Sequence, residues 1–416
     1  MAALPVDNRD VSELGEREFK GGGSKFKNGD TLFARITPCL ENGKTAKVNC
    51  LNQDEHGHGS TEFIVMSAKE PEYDEDYVYY LARHPEFRAY AQSRMEGTSG
   101  RQRVAWQSLA EFEFDYPDKD IRKEAGKFLK EIDDKVALNA KIYQTLEQIA
   151  QALFKSWFVD FDPVKAKISV LEAGGTTKEA ELAAMSMIAA KSSEQLAVLK
   201  KSKPDAYEQL AQTAALFPSA MQESELGDIP KGWDVSSIEK SFKVIMGQSP
   251  KGDTYNEDGE GTLFYQGRAE FGWRFPSPRL YTTAPKRMAN KGDVLMSVRA
   301  PVGDLNIALN DCCVGRGLCS LRHGSGSTTF TYYLLKQLQS KFNTFNGEGT
   351  VFGSINQKDL KSIQYISPDD KVIAAYRYLA EPLDHEIEIL SVENSTLSSI
   401  RDSLLPRLLS GELSGD

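Results

Sequence analysis

The segment GTSGRQR, Gly97 to Arg103, sets Arg101, Gln102 and Arg103 on a loop whose other residues, Thr98 and Ser99 included, are small. Arginine and glutamine form paired hydrogen bonds with guanine and adenine edges, and a loop without bulky side chains lets them enter a groove. A second group begins with Gln248, Ser249 and Lys251 in the loop GQSPKGDTY, Gly247 to Tyr255. It continues with Arg268, Arg274, Arg279, Lys286 and Arg287 around Tyr265, Phe271, Trp273 and Phe275, in a stretch rich in proline and glycine. Cations that neutralise phosphates, set among aromatic rings, are the local pattern of a nucleic-acid surface. The competing reading for each is a solvated loop. The formal charge of −10 at first speaks against that chemistry, but phosphate contacts depend on where cations cluster and not on the chain total.

Other chemistry fits poorly. GGGSK, Gly21 to Lys25, lacks the spacing of a phosphate loop and a hydrophobic strand before it. His56 and His58 have no third distant ligand to make a metal site with them. Neither the glycine-rich cofactor loop and NPPY-type motif of an adenine methyltransferase nor the PD-(D/E)xK arrangement of a nuclease is present. The chain therefore reads as non-catalytic, without metal or cofactor. Its five cysteines, Cys39, Cys50, Cys312, Cys313 and Cys319, are odd in number and contain no CxxC pair, which predicts buried reduced thiols. No apolar run approaches the roughly 20 residues of a membrane span and the N-terminus lacks a signal-peptide pattern, so a cytoplasmic protein is expected.

The elements that must position these loops occur twice. FKNGDTLFARITP, Phe26 to Pro38, returns as NKGDVLMSVRAP, Asn290 to Pro301, with Gly29-Asp30 on Gly292-Asp293, Leu32 on Leu295 and Pro38 on Pro301. Tyr79-Tyr80-Leu81 recurs as Tyr332-Tyr333-Leu334, and Leu109, Asp133, Leu146 and Leu153 recur as Leu360, Asp384, Leu397 and Leu404. Repeats of this kind decide the fold class before any single element does. Each unit starts with strands entered by a Gly-Asp turn, at Asp30–Ile36 and Val294–Val298, with another short strand at Glu62–Met66. Helical periodicity follows near Glu75–Leu81 and Phe330–Leu338, and strand again at Phe112–Tyr116 and Ile363–Ile366.

Each unit then ends in a heptad helix. Leu383, Leu390, Leu397 and Leu404 recur every seven residues with Ile387 between the first two, while Ile132, Leu146 and Leu153 hold matching places with Asn139 interrupting. A sustained seven-residue stripe predicts a coiled-coil seam, and the two helices are each other's expected partner. Ile149 and Trp157 extend the apolar surface of the first helix. A chain of 416 residues suits two or three domains. The expected division is a first compact domain at 1–117, a helix at 118–160, a helical connector at 161–224, a second domain at 225–370 and a second helix at 371–416.

The order of compact unit, heptad helix with QALFKSWFVDFDPVKAK, then ELGDIPKGWDV, second unit and a final helix ending SLLPRLLSGEL resembles the specificity subunit of type I restriction-modification enzymes. The resemblance covers nearly the whole chain. It implies an α+β protein in which two similar target recognition domains are separated by two long helices packed as an antiparallel coiled coil, with a pseudo-two-fold internal repeat. It further implies that each domain reads one half of a split, asymmetric site on double-stranded DNA. The helices would space the domains and dock two methyltransferase subunits, with nuclease and translocase subunits joining through the complex. A helix of about 33 residues would span on the order of 50 Å. An independent DNA-binding protein and a pure assembly scaffold are the rival readings. One departure stands out: on the repeat, Met1 falls opposite Phe264, so the second unit has about 39 residues, Glu225 to Leu263, without counterpart in the first. The first domain thus lacks the counterpart of that opening. Either the true start lies upstream, in which case its sheet is expected to lose a strand and Arg101 to Arg103 to be poorly positioned, or the domain is naturally short.

Overall fold

The computed structural model describes all residues except 1–2, 7, 12–14, 17, 19–20, 99, 348–352 and 414–416. In the first part of the chain the strands are β1 (Ser24–Phe26), β2 (Thr31–Ala34), β3 (Thr45–Lys47), β4 (Gly57–Gly59) and β5 (Phe63–Met66). Helices α1 (Pro71–Arg83) and α2 (Pro85–Ser93), a hairpin of β6 (Met95–Glu96) and β7 (Arg103–Val104), the short α3 (Trp106–Leu109) and the long α4 (Lys119–Phe158) follow. A helical stretch, α5 (Asp162–Glu172), α6 (Thr177–Ala189), α7 (Ser193–Ser202) and α8 (Pro204–Ala215), comes next. The remainder begins with β8 (Met221–Gln222), β9 (Ile229–Pro230), β10 (Asp234–Ser237), α9 (Ile238–Ser241) and β11 (Phe242–Met246). It continues with β12 (Tyr255–Asn256), β13 (Thr262–Tyr265), β14 (Tyr281–Thr282), β15 (Met288–Ala289), β16 (Val294–Ser297), β17 (Leu305–Ile307), β18 (Cys312–Val314) and β19 (Leu318–His323). It closes with α10 (Thr328–Gln337), α11 (Gln339–Asn343), α12 (Gln357–Ser362), β20 (Gln364–Ser367) and the long α13 (Asp370–Leu409).

The chain forms two compact units, and their boundary runs through both long helices. One unit comprises Met1–Thr145 with Ile387–Asp416, the other Leu146–Glu386. This division differs from the one expected from sequence, in which each long helix stood as a separate spacer and 161–224 as a separate connector. Phe161, Val164, Met185, Ile188, Leu196 and Phe217 of the connector belong to the same buried cluster as Trp233, Val294 and Tyr376, because their apolar faces have nowhere else to be covered.

The repeat has a structural cause at the Gly-Asp turns. Gly29 and Gly292 adopt φ of +88° and +82°, the left-handed region that costs glycine least. The next residue buries a carboxylate. Asp30 accepts bonds from the Lys27 N–H at 2.8 Å and the Ser67 hydroxyl at 2.6 Å, and Asp293 from the Asn290 N–H at 2.9 Å and the Ser320 hydroxyl at 2.8 Å. A buried charge needs such donors, so both residues of the turn are specified. In the first unit β2 then runs between β3 and β5; in the second β16 runs between β17 and β19, and β19 is bonded on its other side by β11.

The second tyrosine of each pair ties its domain helix to a long helix. Tyr80 donates to Asp133 at 2.7 Å and Tyr333 to Asp384 at 3.3 Å, and all four positions correspond in the repeat. The charge partner differs: Arg401 donates to Asp133 at 2.6 Å, whereas Asp384 accepts from Arg274 at 2.5 Å.

Within each unit the long helices pair antiparallel. In the first, Asp133 meets Arg401, and Asn139 donates to Asn394 at 2.9 Å and to Glu393 at 2.7 Å, so one number falls as the other rises. In the second, the Tyr376 hydroxyl donates to the Ala150 carbonyl at 3.2 Å. Ile132, Trp157, Ile387 and Leu390 are buried, and Leu146, Leu153, Leu383, Leu397 and Leu404 are half-buried. Asn139 is an interruption only in hydrophobicity, since it is fully buried and bonded across the seam, a device that sets register. Ile149 is 50% exposed and does not belong to the seam, because it lies off the stripe that runs through Leu146, Ala150 and Leu153.

Two other expectations need correction. Phe112–Tyr116 is not a strand, although Gln364–Ser367 in the matching place is: β20 pairs with β10, and among the described residues the first unit has no such partner. Cys50 is exposed and Cys39 half-buried, so only Cys312, Cys313 and Cys319 are buried free thiols. Among the described residues no helix is long and apolar enough to cross a membrane.

The buried His323 makes the second unit sensitive to acid. Its ring lies between Phe242 and Phe330, with Nε2 3.1 Å from the Tyr365 hydroxyl and Nδ1 2.8 Å from the Ser325 hydroxyl. Burial pulls its pKa down to about 4, against a weaker upward pull from Asp370. Above about pH 6.5 neither the folded nor the unfolded chain binds the proton; between there and pH 4 the unfolded chain alone does, so stability falls as pH falls. The expected loss is about 2–3 kcal/mol over that window. Urea midpoints of the protein and of His323→Gln at pH 7 and 4.5 check this. The variant should fall less; equal falls would assign the acid sensitivity elsewhere.

Candidate nucleic-acid interface

The GTSGRQR segment forms the tip of the β6–β7 hairpin. Met95 pairs with Val104 and Glu96 with Arg103, and Gly97 and Gly100 turn the chain with φ of +128° and +80°. The hairpin is sewn to the end of β2: Thr37 N–H donates to the Gln102 carbonyl at 3.0 Å, Val104 N–H to the Arg35 carbonyl at 3.0 Å, and Gln102 N–H to the Thr37 hydroxyl at 3.1 Å. The tip therefore stands on a rigid base. The second unit repeats the stitching, with Ala300 N–H on the Gly353 carbonyl at 3.0 Å and Ile355 N–H on the Val298 carbonyl at 3.0 Å. Most of its matching tip, like Ser99 of the first, lies outside the described residues.

At the first tip Thr98 and Arg101 are exposed and Gln102 is half-buried. Among the described residues the Arg101 guanidinium has no side-chain partner. Arg103 is held by Glu62, with Nε at 2.9 Å and Nη2 at 2.7 Å from Oε1. A pair this exposed is worth little in water and can be exchanged for a phosphate. Arg268 with Asp304, and Arg279 with Glu270 at 2.9 Å, are likewise exposed cations already paired. Lys251 is exposed.

Arg274 is a different case and leaves the candidate group. It is 1% exposed, its guanidinium 2.5 Å from both Glu147 on α4 and Asp384 on α13. Burial alone would lower its pKa, but Asp384, with Tyr333, Tyr332 and Glu147 around it, holds the guanidinium above its ordinary value. It stays charged and is a strut inside the second unit. An arginine in a Pro/Gly-rich run between exposed arginines carries no local sign of this.

The second unit also has a platform only partly visible in the sequence. Three backbone segments converge beside Gln248 and Ser249. Gly247 N–H donates to the Leu318 carbonyl at 2.9 Å, Gln248 N–H to the Val314 carbonyl at 2.9 Å, and Gly315 N–H to the Tyr265 carbonyl at 2.8 Å. A Cβ on Gly247 would stand 2.1 Å from the Gly315 carbonyl oxygen, and one on Gly315 2.7 Å from the Gln266 oxygen. Only glycine permits that approach. The packed backbone leaves Gln248, Gln266 and Arg316 as exposed side chains around half-buried Ser249, whose hydroxyl accepts the Arg316 N–H at 3.3 Å. Gln266 and Arg316 were missed from sequence because they are far apart in the chain; the glycines on either side of Arg316, in VGRGL, were the available signal.

The family model described as the type I restriction modification DNA specificity domain matches this chain twice, at residues 18–148 and 230–376. The chain belongs to the specificity subunits of type I restriction enzymes. It is 30% identical to the HindI specificity subunit of Haemophilus influenzae over 93% of this chain and 87% of that one. A putative MjaX specificity subunit of Methanocaldococcus jannaschii is 37% identical over 53% of this chain and 52% of its own length. Among solved structures, the type I S subunit from M. genitalium is similar in fold, with a TM-score of 0.51 at 14% identity over 98% of this chain and 90% of that one. The specificity domain thus occurs twice, once in each unit. In this specificity subunit the repeated turns, hairpin stitching and tyrosine–aspartate ties are the shared framework, and the residues at the hairpin tip and the glycine platform are where the copies diverge.

Proposed function

We propose that this specificity subunit supplies DNA sequence choice to a type I restriction-modification complex, each unit reading one half of a split, asymmetric duplex site. The observation that carries the reading is one rigid framework used twice with different exposed side chains upon it. Arg101 and Gln102, with Thr98, Ser99 and Arg103 beside them, are assigned to the first half-site. Gln248, Ser249, Gln266 and Arg316 are assigned to the second, with Lys251, Arg268 and Arg279 contacting backbone. Arginine and glutamine on a fixed base can bond two atoms of one base edge, and exposed lysine or arginine can bind any phosphate. The long helices set the separation. Each has 40 residues, about 60 Å at 1.5 Å per residue, which exceeds one duplex turn of about 34 Å. Their outer faces, where Ile149 is exposed, are assigned to docking methyltransferase subunits. Methylation and cleavage then belong to partner chains, with nuclease and translocase subunits joining through the complex.

The test is co-expression with the methyltransferase subunit of the same locus, followed by selection of bound fragments from a random duplex library. Two short, different motifs at one fixed separation are expected. Arg101→Ala should relax one motif and Arg316→Ala the other, each weakening its half about 5- to 150-fold, from the roughly 1–3 kcal/mol a good base contact carries. Both motifs surviving both substitutions would overturn the residue assignment, and recovery of no motif would favour an assembly scaffold.

A further inference from the structure

The first unit contains an open groove of about 730 Å³ lined along one side by all of β5, Phe63 to Met66, and along the other by Trp106, Phe112 and Phe114. The repeat shows what fills the matching place. By register about the central strand, Phe63–Met66 corresponds to Leu318–Leu321. There β11 bonds the outer edge, with Val244 opposite Leu321 and Met246 opposite Cys319. On the facing side β10 pairs with β20 from Asp234–Ser367 to Ser237–Gln364, and the Ile238 N–H donates to the Ile363 carbonyl at 3.0 Å. One continuous segment, 234–246, thus closes both edges of that groove, and its Ile238 and Phe242 are buried beneath it.

In the first unit both edges are open among the described residues. β5 is laddered by β2 alone. On its outer edge the Phe63 carbonyl accepts the Ser24 hydroxyl at 3.0 Å and the Phe63 N–H bonds the Ser60 carbonyl. The open stretch therefore begins after Phe63, where Ile64, Val65 and Met66 are half-buried and the matching Cys319, Ser320 and Leu321 are fully buried. Across from it, residues 112–116 alternate aromatic and acidic as a strand does. Their rings are anchored, Phe112 on Phe87 at 5.2 Å and Phe114 on Tyr77 at 6.4 Å, yet their backbone has no ladder. Trp106, at the rim, is 58% exposed. An unpaired edge over an apolar floor is a strand acceptor: main-chain bonds supply affinity and alternate side chains supply fit.

We propose that this groove binds an extended polypeptide segment with the chemistry of residues 234–246, an outer strand, an apolar turn and a second strand, added antiparallel to β5 and to residues 113–116. The site is independent of the DNA-reading assignment. Its occupant would complete the sheet of the first unit as 234–246 completes that of the second.

The experiment uses the full chain and a synthetic peptide, DVSSIEKSFKVIM, labelled for fluorescence anisotropy, with hydrogen exchange of the protein read in parallel. Saturable binding is expected, with exchange slowed about tenfold or more at the outward-facing Val65 amide and within residues 113–116. Ile238→Asp with Phe242→Asp in the peptide should abolish binding. Trp106→Glu in the protein, an exposed position whose replacement leaves the core intact, should weaken it. No binding, binding that survives the aspartate pair, or protection confined to other amides would overturn the proposal. So would concentration-dependent protection of the same amides without peptide, which would give the groove to a second copy of the chain.

Discussion

Replacing Arg274 by methionine should destabilise the second unit by about 3–5 kcal/mol, the cost of leaving buried carboxylates without their cation. The side chains of Glu147 and Asp384 are 8% and 14% exposed, and Arg274 reaches both. Lys336 also pairs with Glu147, so Asp384 suffers more: it would keep only neutral donors, the hydroxyls of Tyr333, at 3.3 Å, and Thr329, among those described. Denaturant unfolding should show the loss. The triple change Arg274→Met, Glu147→Gln and Asp384→Asn should recover most of it, because a buried ion network is strongly destabilised by removing one partner and far less by neutralising all of them. DNA selection separates this role from a DNA contact. An Arg274→Met protein as stable as the parent but blind to one half-motif would refute the strut.

The second large effect is expected at Trp157. It is fully buried, edge-on to Phe217 at 5.0 Å and beside Tyr376 at 6.1 Å, so one side chain joins α4 to the connector and to α13. Trp157→Ala should cost about 3–5 kcal/mol through the cavity it leaves. Trp157→Phe should cost about 1 kcal/mol, since a smaller ring keeps much of the packing and removes a buried indole N–H with no acceptor. Equal losses for the two would mean that the indole ring's full size, and not aromatic filling of the site, holds the connector. Unfolding monitored by far-ultraviolet circular dichroism distinguishes these outcomes.

Much of the architecture was legible in the sequence because its causes are local. The Gly-Asp pairs before β2 and β16 each specify a left-handed turn and a buried carboxylate, and the second appearance of that pair with its apolar strand exposed the repeat. A seven-residue stripe determines which face of a helix is covered, and Leu383, Leu390, Leu397 and Leu404 identified that face before any partner was known. Glycine and serine around Arg101 likewise marked an exposed turn.

What only the tertiary structure decided concerns partners distant in the chain. Phe112–Tyr116 has the alternation of a strand, as Ile363–Ile366 does, but a strand exists only beside another, and β10 is present in one unit alone among the described residues. Arg274 looked like its exposed neighbours Arg268 and Arg279. Its burial follows from carboxylates 127 and 110 residues away in sequence. Gln266 and Arg316 became neighbours of Gln248 because Gly247 and Gly315 let three backbone segments pack closer than any side chain would allow. The sequence by itself determined that one unit is used twice, where its turns lie and which helix faces are apolar, since backbone dihedral preference and periodicity act over a few residues. Tertiary structure decided which charges are buried, which edges are closed and which side chains meet, since burial is a property of whatever chain folds over a residue.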